Sequence, residues 1–325
     1  MRLKIIPDIT KIDFFGPSNI TFGLSILAVI ASVVTFFVMG LNFGIDFQGG
    51  TTIRTQADTP VVIADYRAAL SPLGLGDISI SKVVDPADTL SGIERHVTQI
   101  RIEQQAGAEA AGADTITTMK NALLGVDASM QFLSVESVGP KVSGELINTA
   151  ILAVVLSIFV VLIYIWLRFE WQFSVGAVVA LIHDVMLTIG VFSLFQFKFD
   201  LAIIAALLTI VGYSLNDTVV VFDRVRENLR KYKKTLLVEV LNLSINETLS
   251  RTFMTSFTTL VALFALIILG GDVIRGFVFA MTWGIVVGTY SSVFVASKVL
   301  LFLGVKRDWT KSDNGGGTQF ANIDA

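Results

Sequence analysis

Three places in this 325-residue chain hold side chains able to move or hold charge within long apolar stretches: His183 with Asp184, Asn216 with Asp217, and Arg251. An ionisable group inside a bilayer costs roughly 3 kcal/mol or more, so such groups are rare and mark ion paths or partner contacts. Asp217 is therefore read as a proton carrier. The competing reading makes it a structural ion pair, or a partly wet group, because it stands four residues before the estimated end of its span at 221. A carboxyl group in low dielectric has its charged form disfavoured, which favours proton exchange near neutral pH. Arg251, with its permanent charge, is the natural partner. Asp184 carries the functional and the structural reading equally. Lys298, near the end of the last span, reads as a snorkelling side chain. His96, in a predicted strand, reads as ordinary.

Other chemistries find no support. No G-x-x-x-x-G-K-[ST] loop cradles a nucleotide phosphate, and neither G-x-S-x-G nor H-E-x-x-H occurs. The absence of cysteine removes disulfides, thiolate nucleophiles and cysteine metal sites. His183 and Asp184, as helix neighbours, point about 100° apart, so they are not expected to pair or to build a metal site or triad. The chain reads as a non-enzyme without cofactor. A net charge of −3 implies no nucleic-acid partner.

The elements that must position these residues are membrane helices. The chain is 53% hydrophobic, only 16% charged, and has a mean hydropathy of +0.72. Its apolar residues cluster into runs near the roughly 20 residues that cross a bilayer. They predict a polytopic α-helical membrane protein with six transmembrane helices, at 20–39, 146–167, 173–195, 201–221, 252–269 and 277–303. The first run follows Arg2, Lys4 and Lys11. It is too long for a cleavable signal, has no small-x-small site near Gly40, and reads as a retained anchor. The organisation expected is an N-terminus and first span at 1–40, a polar domain at 41–145, a five-helix region at 146–303 and a flexible tail at 304–325.

Basic residues set the expected orientation. A loop at 222–251 carries Arg224, Arg226, Arg230, Lys231, Lys233, Lys234 and Arg251, while 196–200 and 270–276 carry only Lys198 and Arg275. With Lys306, Arg307 and Lys311 this puts both termini in the cytoplasm and 41–145 outside it. Within the basic loop, Leu236, Leu237, Val240, Leu241 and Leu243 recur at helical spacing and predict a helix lying on the bilayer surface, facing anionic headgroups. The segment 41–145 alternates as strand 51–56, helix 61–70, strands 77–84 and 96–103, helix 114–124 and strand 129–138. That order, β-α-β-β-α-β, is the α+β ferredoxin-like unit. Gly284-x-x-x-Gly288, followed by Thr289, Ser291 and Ser292, and the run Thr252, Thr255, Ser256, Thr258 and Thr259 give the last two spans faces for close helix neighbours.

With these residues in view, a family resemblance emerges. The borders Phe43-Gly-Ile-Asp-Phe-Gln-Gly-Gly-Thr51 and Val138-Gly-Pro-Lys-Val-Ser-Gly-Glu-Leu146 resemble those of the extracytoplasmic domain of the SecD/SecF family. Segments 181–190, 207–228 and 251–296 resemble the SecF branch of that family, and the six-span layout resembles half of an RND-type permease. The resemblance covers about 41 to 296. It implies a subunit that works with SecD beside the SecYEG channel, with YajC and YidC as further neighbours, and uses the proton-motive force to export preproteins across the inner membrane. It also implies that Asp217 is the proton-coupling aspartate and Arg251 its arginine. One departure is Ser143, where the family has glycine. The readings kept beside this one are an RND-type lipid or small-molecule exporter and a non-transporting scaffold of the translocon.

Overall fold

The structure is a computed structural model, and it describes residues 10–75, 78–83, 95–102, 113–138, 140–269 and 271–305. Arg2, Lys4, Lys306, Arg307, Lys311 and the tail from Trp309, with the strand ends Asp77, Val84 and Glu103, lie outside the described residues.

Helix α1 (Ser18–Met39) ends at Gly40, whose φ of 68° lies in the region glycine tolerates best. A short strand β1 (Asn42–Phe43) and one turn of helix α2 (Ile45–Gln48) lead into the domain. Gly49 and Gly50 adopt φ of 76° and 119°, which explains a double glycine at the domain's entrance. The domain then runs β2 (Gly50–Ala57), α3 (Ile63–Leu70), β3 (Ile78–Val83), β4 (His96–Ile102), α4 (Ala113–Leu124) and β5 (Gln131–Val138). Its sheet order is β3-β4-β2-β5 with every pair antiparallel, the ferredoxin-like arrangement that the strand and helix rhythm predicts. Ile53, Ile100 and Ile80 sit in one cross-strand row and bury against Tyr66 and Leu70 of α3 and Met119 and Leu123 of α4. Alternation of apolar residues with period two thus builds the sheet's inner face.

The membrane region comprises α5 (Pro140–Arg168), α6 (Trp171–Phe195), a short strand β6 (Lys198–Phe199), α7 (Leu201–Lys231), α8 (Leu237–Leu269) and α9 (Gly271–Ser291). A π-helical turn (Ser292–Ala296) joins α9 to α10 (Ser297–Leu303), and together these form the last span. Among the described residues, six helical segments are long and apolar enough to cross a membrane. Pro140 at the first position of α5 sits where its missing N–H costs nothing.

Three expectations need correction. No basic loop with a separate surface helix occupies 222–251. Helix α7 continues to Lys231, α8 starts at Leu237, and only 232–236 connect them. The cause is packing: Phe222, Val225 and Leu229 share a buried core with Val240, Leu241 and Ile245, so the apolar stripe expected on lipid faces the partner helix. Asn228 Nδ2 donates to Ser244 Oγ (3.0 Å) and Glu247 Oε2 (2.6 Å) across this hairpin. At 31 residues, α7 is about 46 Å long, well beyond a hydrocarbon core of about 30 Å. Asp217 is consequently mid-helix, far from a helix end. Lys298 does not snorkel either. It is 6% exposed, and its Nζ donates to Ser18 Oγ (2.9 Å) and Asn19 Oδ1 (2.8 Å), tying the last span to the start of α1. The third correction concerns His183 and is given with the site.

Close approaches hold the bundle together. A Cβ on Gly284 would collide with Ile210, and one on Gly190 with Ser32, so α9 packs on α7 and α6 on α1 at glycine distance. The small-residue face of the last span is therefore used inside this chain.

Candidate functional site

Asp217 projects from α7 into the bundle and is 2% exposed. Its Oδ2 is buried without a hydrogen-bond partner. Ser256 of α8 and Asn216 are placed to hydrogen-bond its carboxyl group, and Arg251 is near enough to act on it through space. Ser256 is itself tied to Thr289 of α9 (2.7 Å), so α7, α8 and α9 meet around the carboxylate. Ion pairs at this end of α7 include Arg168 with Asp223 (3.7 Å) and Arg224 with both Glu227 (2.6 Å) and Glu247 (2.7 Å). Arg251 instead borders a cavity of about 520 Å3 that it shares with Asn216, Asp223, Tyr164 and Arg168. A buried carboxyl oxygen with no donor, next to a cavity that reaches its sequence neighbour, is chemically unfinished.

Asp184, on α6, is 1% exposed and differs in kind. Its Oδ2 accepts from Ser214 Oγ of α7 (2.6 Å) and Ser291 Oγ of α9 (2.8 Å), and its Oδ1 lies 2.9 Å from His183 Nδ1. The expectation that His183 and Asp184 do not pair is therefore overturned. The 100° between neighbours describes their Cβ directions, whereas Nδ1 and a short carboxyl can swing back towards each other over adjoining Cα atoms. The His183 ring stacks on Tyr290 at 6.2 Å, Tyr290 donates to the Thr21 carbonyl (2.9 Å), and its hydroxyl lies 2.8 Å from Ser25 Oγ. His183 Nε2 is buried without a partner. One polar chain thus links α7, α6, α9 and α1. Among the described residues, no cluster of three or more His, Cys, Asp or Glu that could hold a metal occurs.

The sequence singles out Asp217, Arg251 and Asp184 as candidates, but not Ser214 and Tyr290, which the structure joins to Asp184 and His183. Ser214 was legible in principle, since it sits three residues before Asp217, on a neighbouring helix face.

A second junction ties the domain to the membrane helices. Strand β1 pairs parallel with β6, Asn42 opposite Lys198 and Phe43 opposite Phe199. Asp46 Oδ2 accepts from the Leu201 N–H (3.0 Å), and Asp200 caps α7 by accepting from Ile203 (3.3 Å). Arg101 of β4 donates to the Phe43 carbonyl (3.0 Å). Burial pushes the Asp200 carboxyl above its ordinary pKa despite Lys198 beside it. The helix bearing Asp217 is thus anchored directly to the domain's entrance.

Comparison with known proteins agrees with this architecture. The profile described as "Protein export membrane protein SecD/SecF, C-terminal" matches residues 118–306, and "SecD/SecF GG Motif" matches 34–61, around Gly49 and Gly50. The protein translocase subunit SecF of Cereibacter sphaeroides is 58% identical over 324 residues, covering 100% of this chain and 99% of the relative. The protein translocase subunit SecDF of Brucella abortus is 40% identical over 307 residues, and the match takes up 94% of this chain but 39% of that longer one. The crystal structure of SecDF, a translocon-associated membrane protein, from Thermus thermophilus superposes with a TM-score of 0.78 at 34% identity, covering 93% of this chain and 39% of that one. A multi-pass membrane chain with this domain, these borders and these relatives belongs to the SecF family of protein translocase subunits.

Proposed function

We propose that this chain is an auxiliary subunit of the Sec protein translocase that, together with SecD, uses the proton-motive force to promote export of preproteins across the bacterial inner membrane. The observation that carries the reading is the orphaned Oδ2 of Asp217, buried mid-helix where a scaffold has no use for a titratable group. Protonation removes its charge and so releases it from the pull of Arg251. Deprotonation restores both, so proton traffic changes how α7 packs against α8. Because α7 begins at the clasp of Asp46, Asp200 and Arg101, that change reaches the sheet domain. In this reading both termini are cytoplasmic, the sheet domain is extracytoplasmic and meets preproteins, and SecYEG, with YajC and YidC, are neighbours. The chain carries no reaction of its own, and Asp184 is a secondary member of the proton path.

The test is late-stage translocation in inverted vesicles with and without an imposed proton gradient. Asp217→Asn keeps shape and is expected to abolish the response to the gradient while expression and assembly persist. A variant that responds like the parent removes Asp217 from the path.

A further inference from the structure

We propose that His183 is a proton relay for Asp184, with Nε2 as the free end of the ring and Nδ1 as the end bound to the carboxyl group. The inference rests on the proton-driven reading above and adds a residue to it. His183 is 5% exposed, its Nδ1 lies 2.9 Å from Asp184 Oδ1, and its Nε2 is buried without a partner. The plain structural account makes His183 a hydrogen-bonding support for the carboxyl group. That account uses one nitrogen and leaves the other stranded, although buried polar atoms are normally paired. A relay uses both, because imidazole can take a proton at one nitrogen and release one from the other.

The groups around the ring narrow its role. On α9, Tyr290 stacks on the imidazole at 6.2 Å, but its hydroxyl donates to the Thr21 carbonyl of α1 (2.9 Å) and so does not serve Nε2. Ser214 of α7 and Ser291 of α9 donate to Asp184 Oδ2 (2.6 and 2.8 Å), and serine is not among the side chains that titrate in water. The same holds for Ser25, the α1 hydroxyl beside Tyr290. Among the described residues, the ion pair that Asp184 makes is the one with His183. A Cβ on Gly288 would come within 3.0 Å of Ser214, so α9 and α7 hold their serines closely against Oδ2 while Oδ1 meets the ring. In the relay step one proton binds at Nε2 and the Nδ1 proton passes to Asp184 Oδ1. The ring double bonds shift to the other tautomer, the imidazole ends neutral, and no electron is transferred. Asp184 also touches both helices that frame Asp217. Ser214 stands three residues before Asp217 on α7, and Thr289, two residues before Ser291 on α9, is bonded to Ser256 at 2.7 Å.

The chain holds two histidines, so His96→Gln leaves His183 as the one imidazole to observe. Solid-state NMR of that full-length protein in liposomes, isotope-labelled at its ring nitrogens, reports where the proton sits. Expected is a proton on Nδ1 and an Nε2 that gains and loses its proton as pH is stepped between about 5 and about 8. An Nε2 that keeps one protonation state throughout overturns the relay. His183→Gln keeps an amide donor for Asp184 Oδ1 but cannot pass a proton through. Late-stage translocation in inverted vesicles should therefore lose its response to the imposed gradient in this variant. A parental response overturns the relay, whatever Asp217→Asn shows. Loss in both variants supports one path through both acids, and loss in His183→Gln alone keeps the relay and removes Asp217. A parental response in both removes the proton-driven reading itself. Where His183→Gln fails to fold, the ring spectrum decides alone.

Discussion

The two buried carboxylates differ in one countable respect, their hydrogen bonds. Asp184 receives two serine hydroxyls and meets His183, whereas Asp217 leaves Oδ2 empty. A satisfied buried acid stabilises its surroundings, and an unsatisfied one is held ready to change state. Asp184→Ala strands Ser214 and the His183 ring, each at a cost of about 1–3 kcal/mol, while Ser291 keeps the Gly288 carbonyl as acceptor (3.1 Å). Its thermal denaturation in detergent should therefore fall clearly below that of the parent, while Asp217→Asn should melt close to it. The reverse order would exchange the roles of the two acids. Asp217 and Arg251 were legible in the sequence because charge in an apolar run is conspicuous. The pairing of His183 with Asp184 was not, because helical spacing fixes Cβ directions and leaves the tips of side chains free.

Helix positions were read well from hydropathy, and helix lengths were not. The runs at 201–221 and 252–269 are the membrane-embedded parts of helices that continue as a paired hairpin, and apolar content alone does not reveal the continuation. Where helices cross, glycine sets the distance. Gly284→Leu would drive a side chain into Ile210, which is itself 1% exposed and cannot retreat. A loss of about 1–3 kcal/mol is expected, seen as a lower melting temperature, and a parental value would show that α9 can move off α7. At the other end of α7, the raised pKa of Asp200 means that ionisation works against the folded clasp. Its contribution is fully present below the ordinary aspartate value of 3.8 and is lost as pH rises through the raised folded value. Asparagine caps helices as well as aspartate does. Asp200→Asn should accordingly match or exceed the parent's melting temperature at neutral pH, with the advantage closing in acid. A variant that is weaker at neutral pH, by a margin that grows with pH, would mean that the carboxylate with Lys198 stabilises the clasp.

Burial is uneven across the whole bundle. The third, fourth and sixth spans bury 50%, 44% and 61% of their apolar stretch within the chain, but the first, second and fifth bury only 6%, 11% and 17%. Lipid suits α1, whose exposed side chains include Ile20, Leu24, Leu27 and Phe37. It suits α8 poorly, because Arg251 lies along a helix whose span is little covered, and the cavity shared by Arg251 and Asn216 opens between α5, α7 and α8. Polar groups at membrane depth seek protein or water. The Brucella relative carries the matching region as 39% of a longer chain whose name, SecDF, joins SecD to SecF. The side of α8 and α5 is therefore where a second six-span chain, SecD, is expected to seat. The chain contains no cysteine, so single cysteines report on this directly. Thr258→Cys on α8 should cross-link to the co-expressed partner in membranes, and Leu27→Cys on α1 should not. Cross-linking from Leu27→Cys alone would place the partner against α1 and leave the polar face of α8 to water or lipid.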